Sequence, residues 1–426
     1  MPVEIGMYAL VDCNNFFVSA ERVFRPDLRD KPVCVLSNND GCIVALSNEA
    51  KAIGLRRGAP VFKVQEILRR YDVTLFSSNF SLYAGMSSRV MRVLSDAYPG
   101  IEIYSIDEAF LSLDGIPDEE IEPRMRMLRQ QIKKWTGIPV SIGVAATKTL
   151  AKVAGYYAKK FAGYKGVCLI NTERKREVAL QRLPIDEVWG IGRRYSKKLM
   201  DSNIGSAWDF TQMSEMWIRK NFSINGVKTR KELMGIPCME ASDVETKQSI
   251  CTSSSFGEMV ESKEELLSSI VHFTSACAQK LRKQHTVANL LSIFITTNRF
   301  NIDQPQYKQF ATAQLITATA DTAELIRYAR QLLNQIYRPG FMYKKAGVIV
   351  SGIVDDVAIQ QNIFDTIDNR DKRQQLFQTI DRINAVNGGG TVQFAIADKE
   401  KSHWATRREH RSRNYLSDIN ELMEVK

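Results

Sequence analysis

Two carboxylates stand side by side in the heptapeptide YSIDEAF, where Asp107 and Glu108 interrupt an otherwise apolar stretch. Buried carboxylates are costly unless something positive neutralises them, and adjacent side chains on a straight strand point to opposite faces of a sheet. A site that uses both acids therefore requires the chain to turn. We predict a β-hairpin here, with strands near 101–106 and 109–114 and the acids at or beside its bend.

The segments around this hairpin alternate in an order that restricts the fold. A short apolar strand ends in Asp12. The hydrophobic spacing then predicts a helix at 79–98, the hairpin, a helix at 123–136, a strand at 139–145 and a helix at 147–161. This is the β-α-β-β-α-β pattern of ferredoxin-like domains, with a subdomain inserted at roughly 17–79. Within that insertion we predict a strand at 32–39 and a helix at 43–54, closed by Gly54.

The pattern of residues changes in the rest of the chain. Small polar helices and Gly turns follow from about residue 180, and strand-like runs alternate with helices over 250–354. The segment 355–426 is polar and mixed. A chain of 426 residues has room for about three domains, so we predict a multidomain α+β protein.

Composition excludes several classes of protein. The seven cysteines are scattered with no C-x-x-C, which argues against a disulfide framework and a structural zinc site. No apolar stretch is long enough to span a membrane, and the first residues do not resemble a signal peptide. We therefore expect a cytoplasmic protein without a membrane partner. The net charge of +10 is a moderate hint of a polyanionic partner.

Asp12 can join Asp107 and Glu108 in one site. In a ferredoxin-like sheet the first strand neighbours the central hairpin, so the three carboxylates can meet at one edge. Hard oxygen ligands suit Mg²⁺, and two such ions stabilise the attacking and leaving oxygens of phosphoryl transfer. The alternative is that Asp12 caps a helix and the other two acids form an exposed turn.

Two sets of cations could accompany these acids. The first set belongs to a Gly-x-Gly turn, Gly190 and Gly192, that opens a helix, where backbone N–H groups can bind phosphate. Its cations are Arg193, Arg194, Lys197 and Lys198. The second comprises Lys51, Lys159 and Lys160, which could neutralise a triphosphate. The alternative for both sets is a solvated charged helix face.

Two segments in the last seventy residues are candidates for binding a partner. The pentapeptide QQNIF at 360–364 has the character of a short segment that docks in a partner's groove, or of a patch that folds back onto its own domain. The run 399–413 carries six cations against two acids, with Trp404 among them. It could grip nucleic acid by charge and stacking, or form a solvated face.

Several of these segments together resemble one enzyme family. DCNNFFVSAE, YSIDEAF, SIGVAATKTLAKVA and VWGIG are similar to the motifs of Y-family DNA polymerases. VFRPDL, KPVCVLSNNDGCIVA and FSSNFSLYAGMSSRVM resemble the UmuC type, the catalytic subunit of bacterial DNA polymerase V. The resemblance covers essentially the whole chain and is densest before residue 200. It implies template-directed, error-prone DNA synthesis across damaged bases in an SOS-type response, by nucleotidyl transfer with two Mg²⁺ ions.

The resemblance also implies an architecture and partners. The expected parts are a ferredoxin-like palm (1–16 and 80–178), a small fingers insertion (17–79), a helical thumb with a helix-hairpin-helix (179–244), an α+β little finger (245–354) and a C-terminal tail with a partner-binding segment (355–426). The expected partners are primer-template DNA, deoxynucleoside triphosphates, a sliding clamp, a UmuD-type dimer and RecA.

Site residues follow from the same resemblance. It places metal ligands at Asp12, Asp107, Glu108 and the carbonyl of Cys13, with Asp107 and Glu108 as catalytic residues. Nucleotide-binding residues are Lys51, Lys159 and Phe17, whose ring would act as a steric gate against the ribose 2′-OH; UmuC-type relatives often carry Tyr there. DNA-binding residues run from Gly190 to Lys198. Clamp-binding residues are Gln360, Ile363 and Phe364, where the sequence departs from the Gln-Leu-x-Leu-Phe pattern.

Two other functions remain open from the residues themselves. A nucleotide cyclase can also place two-metal acids on a ferredoxin-like sheet, although it needs neither the Gly-x-Gly motif nor a basic second domain. A DNA-binding scaffold without catalysis is the other alternative, and the three intact acids argue against it.

Overall fold

The computed structural model describes residues 6–239, 247–357, 363–365, 367–397 and 402–422. These residues divide into two compact units. The first unit contains 6–37, 41–239 and 410–422, and the second contains 38–40 and the described residues of 247–409. No helix within these ranges is both long and apolar enough to cross a membrane.

The first unit contains two sheets and the helices that cover them. Its strands are β1 (Tyr8–Cys13), β2 (Val33–Leu36), β3 (Ile43–Leu46), β4 (Thr74–Ser77), β5 (Ile101–Ile103), β6 (Glu108–Ser112), β7 (Val140–Ala145) and β8 (Val167–Ile170). Its helices are α1 (Phe16–Phe24), α2 (Asn48–Ala52), α3 (Val61–Arg70), α4 (Phe80–Ala97), α5 (Asp118–Thr136), α6 (Lys148–Lys160), α7 (Glu173–Arg182), α8 (Arg193–Met200), α9 (Ala207–Gln212) and α10 (Glu215–Leu233).

The larger sheet has the strand order β5-β6-β1-β7-β8. Strand β1 is antiparallel to both β6 and β7, so the first strand does neighbour the hairpin, as the sequence predicted. The hairpin itself is confirmed, with Ile103 of β5 opposite Ala109 of β6. Its strands are shorter than predicted, and residues 104–107 form the bend.

Alternation along β1 decides which face each side chain occupies. Ala9 and Val11 pack into a core that includes residues of α4 and α5. Leu10 packs on the opposite face, in a core that includes residues of α6. Because side chains alternate along a strand, Asp12 lies on the same face as Leu10 and looks toward α6.

Helix α6 lies unusually close to this sheet. A Cβ atom built on Gly143 of β7 would come within 2.0 Å of the backbone nitrogen of Gly155 on α6. Only glycine at position 143 permits that approach. The close packing brings Lys152 and Lys159 of α6 to the sheet edge where β1 ends and β6 begins.

Two sequence predictions of secondary structure are wrong in part. Residues 43–46 of the predicted helix form β3, and the helix begins only after Ser47, whose side chain accepts a hydrogen bond from the backbone N–H of Ala50. A short apolar run fits a buried strand and a helix equally well, so periodicity could not separate them. Helix α5 begins at Asp118, five residues before the prediction, because three acids in its first turn suit a helix N-terminus.

The second unit is built around one four-stranded antiparallel sheet, as an α+β region. Its strands are β9 (Ser249–Val260), β10 (Thr286–Thr297), β11 (Lys308–Thr319) and β12 (Tyr343–Asp355), in the order β11-β10-β12-β9. Its helices are α11 (Lys263–Lys283), α12 (Thr322–Ile336) and α13 (Arg370–Asn387). Bidentate pairs tie α13 to the unit: Arg282 of α11 to Asp381, and Arg373 of α13 to Asp321.

Trp404 belongs to the core of this second unit. It is 2% exposed and packs beside Phe273, with its indole N–H donating to the Ser268 hydroxyl at 3.2 Å. The idea that this ring stacks on nucleic acid is therefore wrong. The burial of Trp404 could not be predicted from the sequence, because one aromatic residue among six cations gives no periodic signal.

Candidate active site

The face of β1 that looks toward α6 ends in an ion pair. Asp12 and Glu108 are opposite each other in the β1–β6 register. Lys159, near the end of α6, places its Nζ 2.7 Å from Asp12 Oδ1. Burial raises the pKa of the Asp12 carboxyl, Lys159 opposes the rise, and the negative charges of Glu108 and Asp107 add to it. The carboxylates are therefore close enough to repel one another.

Glu108 has a lysine partner of its own. Lys152 lies seven residues, about two helical turns, before Lys159 on the same face of α6, and its Nζ is 2.7 Å from Glu108 Oε2. The Lys152 ammonium is also 4.4 Å from the ring centroid of Tyr104 and 4.9 Å from that of Trp189. Both partners are largely buried, so the aromatic rings and the carboxylate together hold this cation in place.

Asp107 lies in the bend of the hairpin. Its backbone oxygen accepts from the Cys13 N–H at 2.8 Å, which fixes the bend to the end of β1. Its Oδ1 accepts from the Ser105 hydroxyl at 2.7 Å, and that same hydroxyl oxygen accepts from the backbone N–H groups of Asp107 and Glu108. The turn that the adjacent acids required is thus held by Ser105.

The donor chemistry of this edge suits a hard divalent cation, but the side chains do not converge on one point. In the described part of the chain, no cluster of three or more His, Cys, Asp or Glu side chains is arranged to hold a metal ion. Lysine ammonium groups supply the positive charge at Asp12 and Glu108 instead. Asp12, Asp107 and Glu108 fit a divalent metal by donor type, since all three are carboxylates, two of them opposite each other on paired strands and the third in the adjoining bend.

Lys51 approaches the same edge from α2. Its Nζ donates to Asn15 Oδ1 at 2.6 Å, and Asn15 is held in the left-handed region at φ 46° directly before α1. Burial lowers the pKa of Lys51, and the charge of Lys159 lowers it further. The structure therefore brings Lys51 and Lys159 near Asp12. Lys160, the third lysine of the predicted set, donates instead to Tyr156 and Glu187.

Phe17 lies in the first turn of α1, beside this edge. It is half-buried, and its ring stacks on Tyr83 of α4 with centroids 4.4 Å apart and planes 14° apart. Phe80 meets both rings edge-on. Neighbouring Cys13 is buried, which raises the pKa of its thiol, so only its backbone could contribute a ligand.

The Gly-x-Gly motif forms the turn before α8, and its cations are exposed. Gly190 has φ +88°, which other residues adopt only with strain, and Gly192 caps α8. Ile191 between them is buried as an anchor. The side chains that follow on α8 face solvent: Arg193, Arg194, Lys197 and Lys198.

Only some of the predicted clamp-binding residues lie within the described part of the chain. Gln360 lies outside the described residues. Ile363 and Phe364 are 92% and 71% exposed.

Sequence reasoning missed two residues of the site. Lys152 was available from its seven-residue spacing to Lys159, which places both lysines on one face of α6. Asn15 carried no signal, because its role depends on a positive φ angle.

The sequence of the chain matches known families over most of its length. A sequence model of the impB/mucB/samB family matches residues 11–156, and a model of that family's C-terminal domain matches residues 247–363. The chain is 41% identical over 424 residues to protein UmuC of Salmonella typhimurium, covering 99% of this chain and 100% of the relative. The chain belongs to the impB/mucB/samB family.

More distant comparisons agree with this membership. The chain is 25% identical over 392 residues to DNA polymerase IV of Desulfatibacillum aliphaticivorans, covering 90% of this chain and 95% of that protein. A solved Y-family DNA polymerase chimera, Dbh-Dpo4(243-245)-Dbh, has a TM-score of 0.66 at 20% identity, covering 82% of this chain and 99% of the chimera, and shows the fold. A domain of unknown function matches residues 374–425 of this impB/mucB/samB family member.

The resemblance to Y-family DNA polymerases of the UmuC type is thereby confirmed. With it the predicted enzyme class is confirmed, a DNA polymerase for error-prone synthesis across damaged templates. Enzymes of this class require a divalent metal. Membership in the impB/mucB/samB family favours the polymerase over both the nucleotide cyclase and the non-catalytic scaffold.

Proposed function

We propose that this polymerase joins deoxynucleotides to a primer at the edge where β1 ends and β6 begins, with two Mg²⁺ ions. Asp12, Asp107 and Glu108 would hold the ions, with the carbonyl of Cys13 as a further ligand. The observation that carries the proposal is the register of Asp12 opposite Glu108, with Asp107 bonded through its backbone to the same strand. Bound metal would stabilise the negative charge that develops on the transferred phosphate.

The lysines of this edge hold positive charge where a triphosphate needs it. Lys159 and Lys51 both lie near Asp12, and their mutual repulsion is relieved when an anion lies between them. Lys152 keeps Glu108 in one orientation. In this proposal Lys51 and Lys159 neutralise the triphosphate, Lys152 positions Glu108, and the carboxylates bind the metal ions.

The named subdomains are part of the same proposal. The five-stranded sheet with α4, α5 and α6 would be the palm (1–16 and 80–178), and the sheet β3-β2-β4 would lie in the fingers (17–79). The region of α8 to α10 would be the thumb (179–244), whose exposed cations hold the DNA backbone. The sheet of the second unit would be the little finger (245–354), followed by the tail (355–426).

Primer extension past a defined lesion tests the catalytic assignment. Replacing Asp107 and Glu108 together by Ala should reduce extension by more than about 10³-fold, because it removes two of the three carboxylates that would hold the metal ions. DNA binding should be retained. Glu119→Ala, an exposed acid on α5, is the matched control. Retained synthesis in the double variant would disprove the site.

Ribonucleotide use tests Phe17. A ring in contact with the sugar excludes a 2′-OH, so Phe17→Ala should raise ribonucleotide incorporation relative to deoxyribonucleotide incorporation. Unchanged sugar selectivity in single-nucleotide insertion assays would remove Phe17 as the gate.

The remaining partners are proposals from the sequence motifs. Exposure of Ile363 and Phe364 supports docking to a sliding clamp. Dependence of extension on added clamp, and its loss on replacing both residues by Ala, would test this. A UmuD-type dimer, RecA and a cytoplasmic location remain predictions.

A further inference from the structure

Glu21 is a buried acid that the proposed catalysis does not use. It lies on α1, is 1% exposed, and accepts the Tyr83 hydroxyl at 2.7 Å on its Oε1. The Ser412 hydroxyl donates to the same oxygen at 3.0 Å. Among the residues that the structure describes, Glu21 Oε2 has no hydrogen-bond partner. A buried carboxyl with such specific partners needs an explanation.

Ser412 belongs to a segment that is built into the first unit. We call residues 410–416 the docking segment. His410 exchanges two hydrogen bonds with Ser77, from its backbone N–H to the Ser77 hydroxyl at 3.0 Å and from the Ser77 N–H to its oxygen at 2.9 Å. The buried Asn79 amide donates to the Ser412 backbone and hydroxyl oxygens, both at 3.1 Å. The same Asn79 side chain caps α4 through the Leu82 N–H.

Apolar contacts complete the attachment of the docking segment. The Tyr415 ring stacks on Phe24 of α1, with centroids 4.6 Å apart and planes 11° apart. Leu416 packs so closely on Gly85 of α4 that a Cβ there would lie 3.0 Å from its Cδ1. The docking segment therefore contacts both helices that meet at Glu21.

Tyr83 links this attachment to Phe17. Its ring is fully buried and forms the surface on which the Phe17 ring stacks, at 4.4 Å. Its hydroxyl is fixed by Glu21, and Glu21 is in turn held by Ser412. The orientation of the Tyr83 ring thus depends on an oxygen that the docking segment shares.

We propose that the docking segment positions Phe17 through Ser412, Glu21 and Tyr83, and so tunes the sugar selectivity of the polymerase. This inference rests on the proposed role of Phe17 as the steric gate. Ser412, Glu21 and Tyr83 are positioning residues, since none of them touches the reacting groups. The matched domain of unknown function at 374–425 would thereby gain a role for its last part.

The test is single-nucleotide insertion by the full chain, with each nucleotide supplied as deoxyribonucleotide and as ribonucleotide. The readout is the ratio of the two kcat/KM values, because a merely destabilised protein loses activity with both sugars alike. Ser412→Ala and Tyr83→Phe should each raise relative ribonucleotide use about 3- to 10-fold, the equivalent of one hydrogen bond. Ser412→Thr keeps the hydroxyl and should restore selectivity. Ser417→Ala, an exposed serine just beyond the segment, should change nothing.

A double variant separates this inference from the function on which it rests. If Phe17→Ala alone leaves selectivity unchanged, the gate assignment fails, and this inference with it. If Phe17→Ala raises ribonucleotide use but Ser412→Ala and Tyr83→Phe do not, the positioning proposal alone is overturned. If Ser412→Ala adds its full effect to Phe17→Ala, the docking segment acts elsewhere and the proposal is again wrong. Support requires that Ser412→Ala has no further effect once Phe17 is absent.

Discussion

Replacing Glu21 by Gln should change how stability depends on pH. Burial raises the pKa of Glu21 from about 4.5 to about 7, although hydrogen bonds from Tyr83 and Ser412 oppose the rise. A raised acid pKa means that the folded protein prefers the neutral form. Stability from this group is therefore fully present below pH 4.5, falls between pH 4.5 and 7 as the unfolded chain releases its proton first, and stays constant above pH 7.

The size of the effect follows from the width of that window. A shift of roughly 2.5 pH units corresponds to about 3 kcal/mol of lost unfolding free energy at alkaline pH. Between pH 5 and pH 8 the loss is about 2.5 kcal/mol. Gln resembles the neutral acid in shape and cannot ionise, so Glu21→Gln should escape this loss.

Calorimetric unfolding of the full chain at several pH values measures the difference. The midpoint temperature of the first unit in Glu21→Gln, minus that of the wild type, should increase by about 5 to 10 °C from pH 5 to pH 8. Glu66→Gln, which removes the same charge from the exposed face of α3, controls for net charge. A difference that is flat across this range would show that Glu21 is not held neutral by its burial, and would refute the reasoning.

Two further predictions concern the cations of the candidate site. Lys152→Met should reduce the rate of nucleotide insertion about tenfold or more while leaving DNA affinity within about twofold, because Glu108 loses the charge that orients it; equal rates in single-turnover assays would contradict this. Replacing Arg193, Arg194, Lys197 and Lys198 together by Ala should weaken DNA binding and lower the slope of log K against log salt by up to about 3.6. A titration series in which affinity falls but the slope stays constant would show that these side chains do not contact phosphates.

The parts of the structure that depend on local pattern could be predicted from the sequence. Two adjacent acids needed a turn, and the hairpin is there, with Asp107 in the bend and Glu108 opening β6. The spacing of apolar residues also gave the helix at 79–98 to within a residue at each end. These features follow from alternation and helical period, which are properties of a few neighbouring residues.

Features that depend on distant residues could not be predicted. The run 43–46 became a strand because β2 pairs with it, and a short apolar run does not reveal its partner. Trp404 is buried because a core formed by 250–350 accepts it. The hydrogen bond between Ser412 and Glu21 joins residues 391 positions apart, and the sequence around neither residue predicts it.

That last separation matters for the order in which the molecule is made. Translation proceeds at about 5 to 20 residues per second, so the interval between completing α10 and adding Ser412 is about 9 to 36 seconds. During this interval a ribosome-bound chain carries Glu21 and Tyr83 without their third partner, and the surface of α4 at Gly85 still awaits Leu416. The edge at Asp12 and Glu108 can fold early, but the contacts that support the Phe17 ring are complete only when the docking segment emerges. Assembly of the proposed nucleotide site is thus spread over nearly the whole of synthesis.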